Sequence, residues 1–164
     1  MRLEIVLWWL ARWSDGIAIT TSSSWVQVRT EIWGEIHKAI RGALIEYPMP
    51  NQTEIKLGPD CYALGLSTNE DTNIQGFHGN HVLVVLDEAP GIPAEILGGR
   101  GGGALWGSTR VIALGNPTIA SGPFYDMFTK HRALWKTFTI DAFDTLNLQG
   151  TTPLEFAIQA DSIC

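Results

Sequence analysis

Asp87 and Glu88 are the residues of this 164-residue chain whose types and placing best suit chemistry. They directly follow His81 and the apolar run Val82-Leu83-Val84-Val85-Leu86. An unbroken apolar run of this length reads as a strand buried on both faces. Carboxylates at the C-terminal end of such a strand are what an α/β sheet presents to a ligand crevice. In nucleotide hydrolases the first carboxylate of such a pair holds Mg²⁺ and the second positions a water. The same residues also describe a strand that ends in a solvated acidic turn, and the pattern alone fits both.

Two further apolar runs end in polar groups. Ile17-Ala18-Ile19 leads into Thr20-Thr21-Ser22, and Arg110-Val111-Ile112-Ala113-Leu114 leads into Gly115-Asn116-Pro117-Thr118. In a parallel sheet these ends share one edge with Asp87 and Glu88, where ligands bind. Thr, Ser and Asn also make ordinary turns, but three polar ends together point to a site. Other candidates carry less. The run Gly98 to Gly103 lacks a Gly-Lys-Ser/Thr ending and does not open a helix after a first strand, so it is not a phosphate loop. Arg100 within it is a solvated loop residue or a charge-stabilising finger toward a neighbouring subunit. His78 and His81 lack companion ligands and read as loop histidines. Asp141 and Asp144 are an acidic pair or a solvated turn. Two cysteines, Cys61 and Cys164, give neither a disulfide framework nor metal spacing, and they fit a reducing compartment. No Ser-His-Asp or Cys-His arrangement is legible.

The elements that must position these groups follow from composition and periodicity. Apolar content of 45% against 17% charged residues supports one domain with a real core and excludes disorder. A net charge of −6 argues against gripping nucleic acid through the overall field, leaving room only for a local basic patch. The N-terminal run to Trp13 is interrupted by Glu4, is too short to span a bilayer and has no small-x-small cleavage site, so a buried core helix is expected there. Ser24 and Gln27 suggest a capping box, opening a helix whose apolar stripe is Trp25, Val28, Ile32, Ile36 and Ile40, ending between Gly42 and Pro48. Strands are expected at 54–57 and 61–66 around Gly58-Pro59-Asp60. One or two helical turns are expected over Pro93 to Leu97, a helix carrying Phe124, Met127, Phe128, His131 and Leu134 near one face, a strand over Lys136 to Ile140, and a weak helix over Leu154 to Ala160. Strands alternating with helices predict an α/β fold with a mainly parallel sheet.

With these motifs in place, the chain resembles the ATPase domain of the large terminase subunit of tailed bacteriophages. Gln75 to His81 running through Val84-Val85-Leu86-Asp87-Glu88-Ala89-Pro90-Gly91-Ile92-Pro93 is similar to that family's Walker B region. Val111 to Thr118, then Ser121-Gly122-Pro123-Phe124-Tyr125, resembles its coupling motif and the helix after it. Thr20 to Ser24 with Gln27-Val28 and Ile32 to Ile36 is similar to the segment after its second strand. Asp144-Thr145-Leu146-Asn147 approximates an Asp-Thr-Pro-Asn pattern, with leucine in place of proline. The resemblance covers the chain from its first helix to about Asn147.

It implies a three-layer, RecA-like, additional-strand P-loop NTPase fold. It also implies a motor that couples ATP hydrolysis to translocation of double-stranded viral DNA into procapsids, in the host bacterial cytoplasm and away from any membrane. Portal protein and a small terminase subunit would be its partners, and a homo-oligomeric ring its assembly. Asp87 would hold Mg²⁺, Glu88 would be the general base, Asn116 would sense the γ-phosphate, and Thr21 with Asn116 would contact ATP. The family's Gly-x-x-x-x-Gly-Lys-Ser/Thr loop would precede Met1 and its nuclease domain would follow Cys164. Residues 1–164 then read as a partial ATPase domain lacking the P-loop strand, inactive alone, with an exposed edge beside the Asp87 strand. The alternatives are a non-catalytic prophage remnant or partner-binding module, and a helicase-type motor fragment. Against the last, no His or Asp stands two residues after Glu88, and Gly115-Asn116-Pro117-Thr118 replaces Ser-Ala-Thr.

Overall fold

A computed structural model describes residues 4–68, 77–93 and 109–140. The chain forms two compact units, Met1–Asp126 and Met127–Cys164. The first is built on a five-stranded sheet with strand order β2-β3-β1-β4-β5. The strands are β1 (Gly16–Ser22), β2 (Glu54–Lys56), β3 (Tyr62–Ser67), β4 (His81–Leu86) and β5 (Arg110–Ala113). All neighbours run parallel except β2, which pairs antiparallel with β3 across the Gly58-Pro59-Asp60 turn. The chain is therefore α/β, with a mixed and mostly parallel sheet. β1 and β4 lie at its centre because their apolar runs tolerate burial on both faces: every residue of β1 is buried, as are Val82 to Leu86.

Helix α1 (Glu4–Arg12) turns Val6, Leu7, Trp9 and Leu10 inward and leaves Trp8 exposed. The expected core helix is thus present. A continuous helical run follows β1, formed by α2 (Trp25–Gln27), a π-helical turn (Val28–Ile32) and α3 (Trp33–Arg41), which ends at Gly42. Val28, Ile32 and Ile36 are buried, matching the expected stripe, but Trp33 is fully buried beside them. The wider π turn shifts the helical register, and that brings Trp33 onto the core face. These side chains pack with α1 against Ala18, Ala63, Leu83 and Val85, which share one face of the sheet.

Trp33 is seated by a specific absence. A Cβ at Gly65 would lie 2.2 Å from its Nε1. With glycine there, the indole Nε1–H reaches the Thr20 hydroxyl at 3.0 Å, and that hydroxyl donates onward to the Leu64 carbonyl at 3.3 Å. The polar end of β1 is thereby anchored from beneath.

Several expectations are revised. The Asp87 strand has two parallel neighbours, β1 and β5, so it does not border an open edge; among the described residues β2 and β5 are the strands paired on one side only. Ser24 caps its helix by accepting from the Gln27 backbone N–H at 3.3 Å. The Gln27 side chain does not return the bond to the backbone; its Oε1 accepts from the hydroxyls of Ser23 (2.8 Å), Ser24 (2.9 Å) and Ser22 (3.3 Å). In the second unit Lys136 to Ile140 forms no strand, since no described strand pairs with it. The helix begun at Pro123 stops at Phe128, with a 3₁₀ turn over Arg132–Leu134. The expected elements over 94–97 and 154–160, and the motifs at Arg100, Asp141, Asp144 and Cys164, lie outside the described residues.

Candidate functional site

The parallel strands deliver their C-terminal ends to one edge of the sheet. Register fixes the neighbours: Ser22 pairs with Ser67, and Thr21 with Leu86, one residue before Asp87. Backbone hydrogen bonds extend the ladder past the strands. The Asp87 N–H donates to the Thr21 carbonyl (2.9 Å), Leu114 N–H to Leu86 O (2.8 Å), and Ala89 N–H to Leu114 O (2.8 Å). Thr21 and Asp87 are thus brought together. The segment carrying Asn116 leaves β5 beside the turn that carries Glu88.

Burial divides the edge in two. Thr20, Thr21, Ser22 and Ser67 are buried polar residues. Thr21 Oγ1 is enclosed and has no hydrogen-bond partner, a costly state for a hydroxyl. Asp87 and Glu88 are half-buried, and Asn116 is exposed. Burial pushes the Asp87 carboxyl above its ordinary range, and its bond from the Glu88 backbone N–H works the other way. Glu88 sits in the left-handed region, φ 51° and ψ 45°, a conformation that non-glycine residues seldom adopt and that costs energy. The 3₁₀ turn Ala89–Gly91 begins immediately after it, closed by Gly91 N–H donating to Glu88 O at 2.9 Å.

A hard divalent cation fits this edge in the kind of donor it offers: all oxygens, one of them on a partly desolvated carboxylate. A closed protein cage does not form, because among the described residues no three His, Cys, Asp or Glu side chains gather to hold a metal. Mg²⁺ tolerates that arrangement, since it keeps most of its waters and takes one or two carboxylates. A triphosphate fits less well. The sequence contains no Gly-Lys dipeptide, so the amide cradle and lysine of a phosphate loop have no counterpart in these residues.

A second polar cluster stands at the opposite edge, and sequence reasoning did not find it. His81 is not a loop residue but opens β4. Its Nδ1 lies 2.7 Å from Asp15 Oδ1, Asn80 donates to the other Asp15 oxygen at 3.0 Å, and the His81 ring stacks on Trp13 with centroids 3.6 Å apart. The Arg12 guanidinium lies over the Trp13 ring, 4.1 Å from its centroid. The bonds from Asn80 and His81 hold the Asp15 carboxyl below its usual range. The cluster fastens the α1–β1 turn to the start of β4. Asp15-Gly16 in the sequence marked only a turn, and nothing local ties it to residues 80 and 81. Cys61 is buried, its thiol pushed up by burial, in keeping with an inert core cysteine.

No helix among the described residues is long and apolar enough to cross a membrane. No protein-family model, curated protein or solved structure matches this chain.

Proposed function

We propose that this chain supplies the acidic half of a nucleotide-hydrolysis site of the large-terminase type, in a motor that drives double-stranded viral DNA into procapsids. The observation that carries the reading is the meeting of Asp87 and Glu88 with the ends of β1 and β5 at one edge of a parallel sheet. Asp87 would hold Mg²⁺ through its water shell, its backbone fixed by the bond to the Thr21 carbonyl. Bound there, the ion supplies charge against phosphate oxygens. Glu88 would take the proton of the attacking water, its direction set by the left-handed backbone. Asn116, exposed at the end of β5, is free to meet the terminal phosphate. A RecA-like, three-layer arrangement would build on the parallel β1-β4-β5 order and would need a second helical layer on the sheet face opposite α1 and α3. Portal protein, a small terminase subunit, a ring of like subunits and the host bacterial cytoplasm complete the proposal.

The same reading makes the polypeptide inactive alone, because no lysine-bearing phosphate loop is encoded in its 164 residues. The rival reading is a non-catalytic partner-binding module or prophage remnant. Phosphate release separates the two. The chain alone should give no Glu88-dependent release. The chain joined at its N-terminus to a terminase-type phosphate-loop segment should gain release that Glu88→Gln abolishes. A fusion that binds ATP yet hydrolyses none, or that is indifferent to Glu88→Gln, supports the non-catalytic reading.

A further inference from the structure

The end of β5 and the Glu88 turn are fitted together at one residue. A Cβ built on Gly115 would lie 2.4 Å from Pro90 Cδ and 3.2 Å from the Ala89 nitrogen. Gly115 does not hold a positive φ, so space, not backbone freedom, is what demands glycine there. Pro90 cannot easily yield, because its ring fixes φ and it lies within the 3₁₀ turn. Directly before it, Glu88 occupies its left-handed conformation between two backbone bonds, Ala89 N–H to Leu114 O and Gly91 N–H to Glu88 O. Such a conformation persists only when its surroundings over-determine it. The β5 end supplies one of those two bonds together with the close contact.

We infer that Gly115 is a positioning residue: by letting the end of β5 close on Pro90, it holds Glu88 in the left-handed backbone that aims its carboxylate along the acidic edge. The coupling runs both ways. Any movement of the Asn116 segment that lifts Gly115 from Pro90 releases the Ala89–Leu114 bond and lets Glu88 relax. The role of Glu88 rests on the proposed function; the backbone coupling does not.

The test uses the full chain in solution. In Gly115→Ala, amide–α-proton cross-correlated relaxation should show Glu88 leaving positive φ, and hydrogen exchange at the Ala89 amide should quicken by about tenfold, the factor equivalent to losing one backbone hydrogen bond. Pro90→Ala in that background removes the obstructing ring carbons and should restore both signals. Mn²⁺ gives the readout that a merely structural role would not move. In Gly115→Ala the relaxation enhancement of the Glu88 γ-protons should fall relative to that of the Asp87 β-protons as the side chain turns away from the ion, and the double variant should restore the ratio. Positive φ at Glu88 and unchanged Ala89 exchange in Gly115→Ala overturn the inference, as does a double variant that fails to restore them or fails to fold. Absence of Mn²⁺ broadening in the unmodified chain, with the backbone responses intact, would instead count against the proposed function and leave the coupling standing.

Discussion

Gly65→Ala should be among the most damaging single-methyl additions in this fold. The new Cβ would stand 2.2 Å from Trp33 Nε1, 2.8 Å from Trp33 Cδ1 and 2.8 Å from Val28 Cγ1. Carbon contacts settle near 3.5–4.0 Å, so the overlap exceeds half an ångström against two fully buried side chains, neither of which is a flexible tip. Trp33 must move away from β3, and its 3.0 Å bond to Thr20 Oγ1 is lost with it. Overpacking of this kind costs about 1–3 kcal/mol, and a buried indole N–H left without its acceptor about 1–3 kcal/mol more. The two events are one displacement and overlap, so about 3–4 kcal/mol is expected, a large share of the ~5–15 kcal/mol that holds a domain together. In thermal unfolding this should lower Tm by roughly 10 °C or more. Trp33→Leu in the same background should recover part of the loss, giving a clearly non-additive double-mutant cycle. A Gly65→Ala variant within ~0.5 kcal/mol of the parent would refute both the tight seat of Trp33 and the register shift assigned to the π turn.

Three further outcomes are expected. Asp87→Asn should raise stability at pH 7 by no more than about 0.5 kcal/mol, since water reaches and screens the half-exposed carboxylate. Because the folded carboxyl titrates above its ordinary 3.8, the parent loses stability as pH rises from 3.8 through that higher value, and the difference between the two proteins should vanish at lower pH; urea midpoints at pH 3 and pH 7 check it. Asp15 has the opposite sign. Its carboxyl is held below 3.8, so its contribution is present above that pH and fades as pH falls, and Asp15→Asn should be destabilised at pH 6 with a gap that narrows toward pH 3. Trp33→Ala should cost about 3–5 kcal/mol, measured by the same denaturation.

The central strands and the acidic edge were legible because their signal is local. The apolar runs through Ile19, Val84 and Ile112 each predict a buried strand, and the polar residues that end them must share an edge once the sheet is parallel. What stayed hidden depends on contacts between distant residues. Nothing near Gly65 in the chain announces Trp33, and nothing near Gly115 announces Pro90. The helical stripe through Val28, Ile32 and Ile36 was readable, yet Trp33 became core only through the π turn that periodicity of 3.6 cannot represent. Lys136 to Ile140 alternates as a strand does, but alternation makes a strand only when a neighbouring edge accepts it. His81 looked like a loop residue because its partner, Asp15, stands on another turn. The left-handed backbone at Glu88 had no local marker, since glycine and asparagine are the residues that advertise such a conformation.

The direct measurement of the acidic site is Mn²⁺ titration of the isotopically labelled chain by NMR. Broadening should begin at the Asp87 and Glu88 resonances, spread to Thr21 and Asn116, reverse with Mg²⁺ and disappear in Asp87→Asn. Broadening that survives Asp87→Asn, or that gathers first around Asp15 and His81 at the opposite edge, would contradict a metal-and-base site at the end of β4.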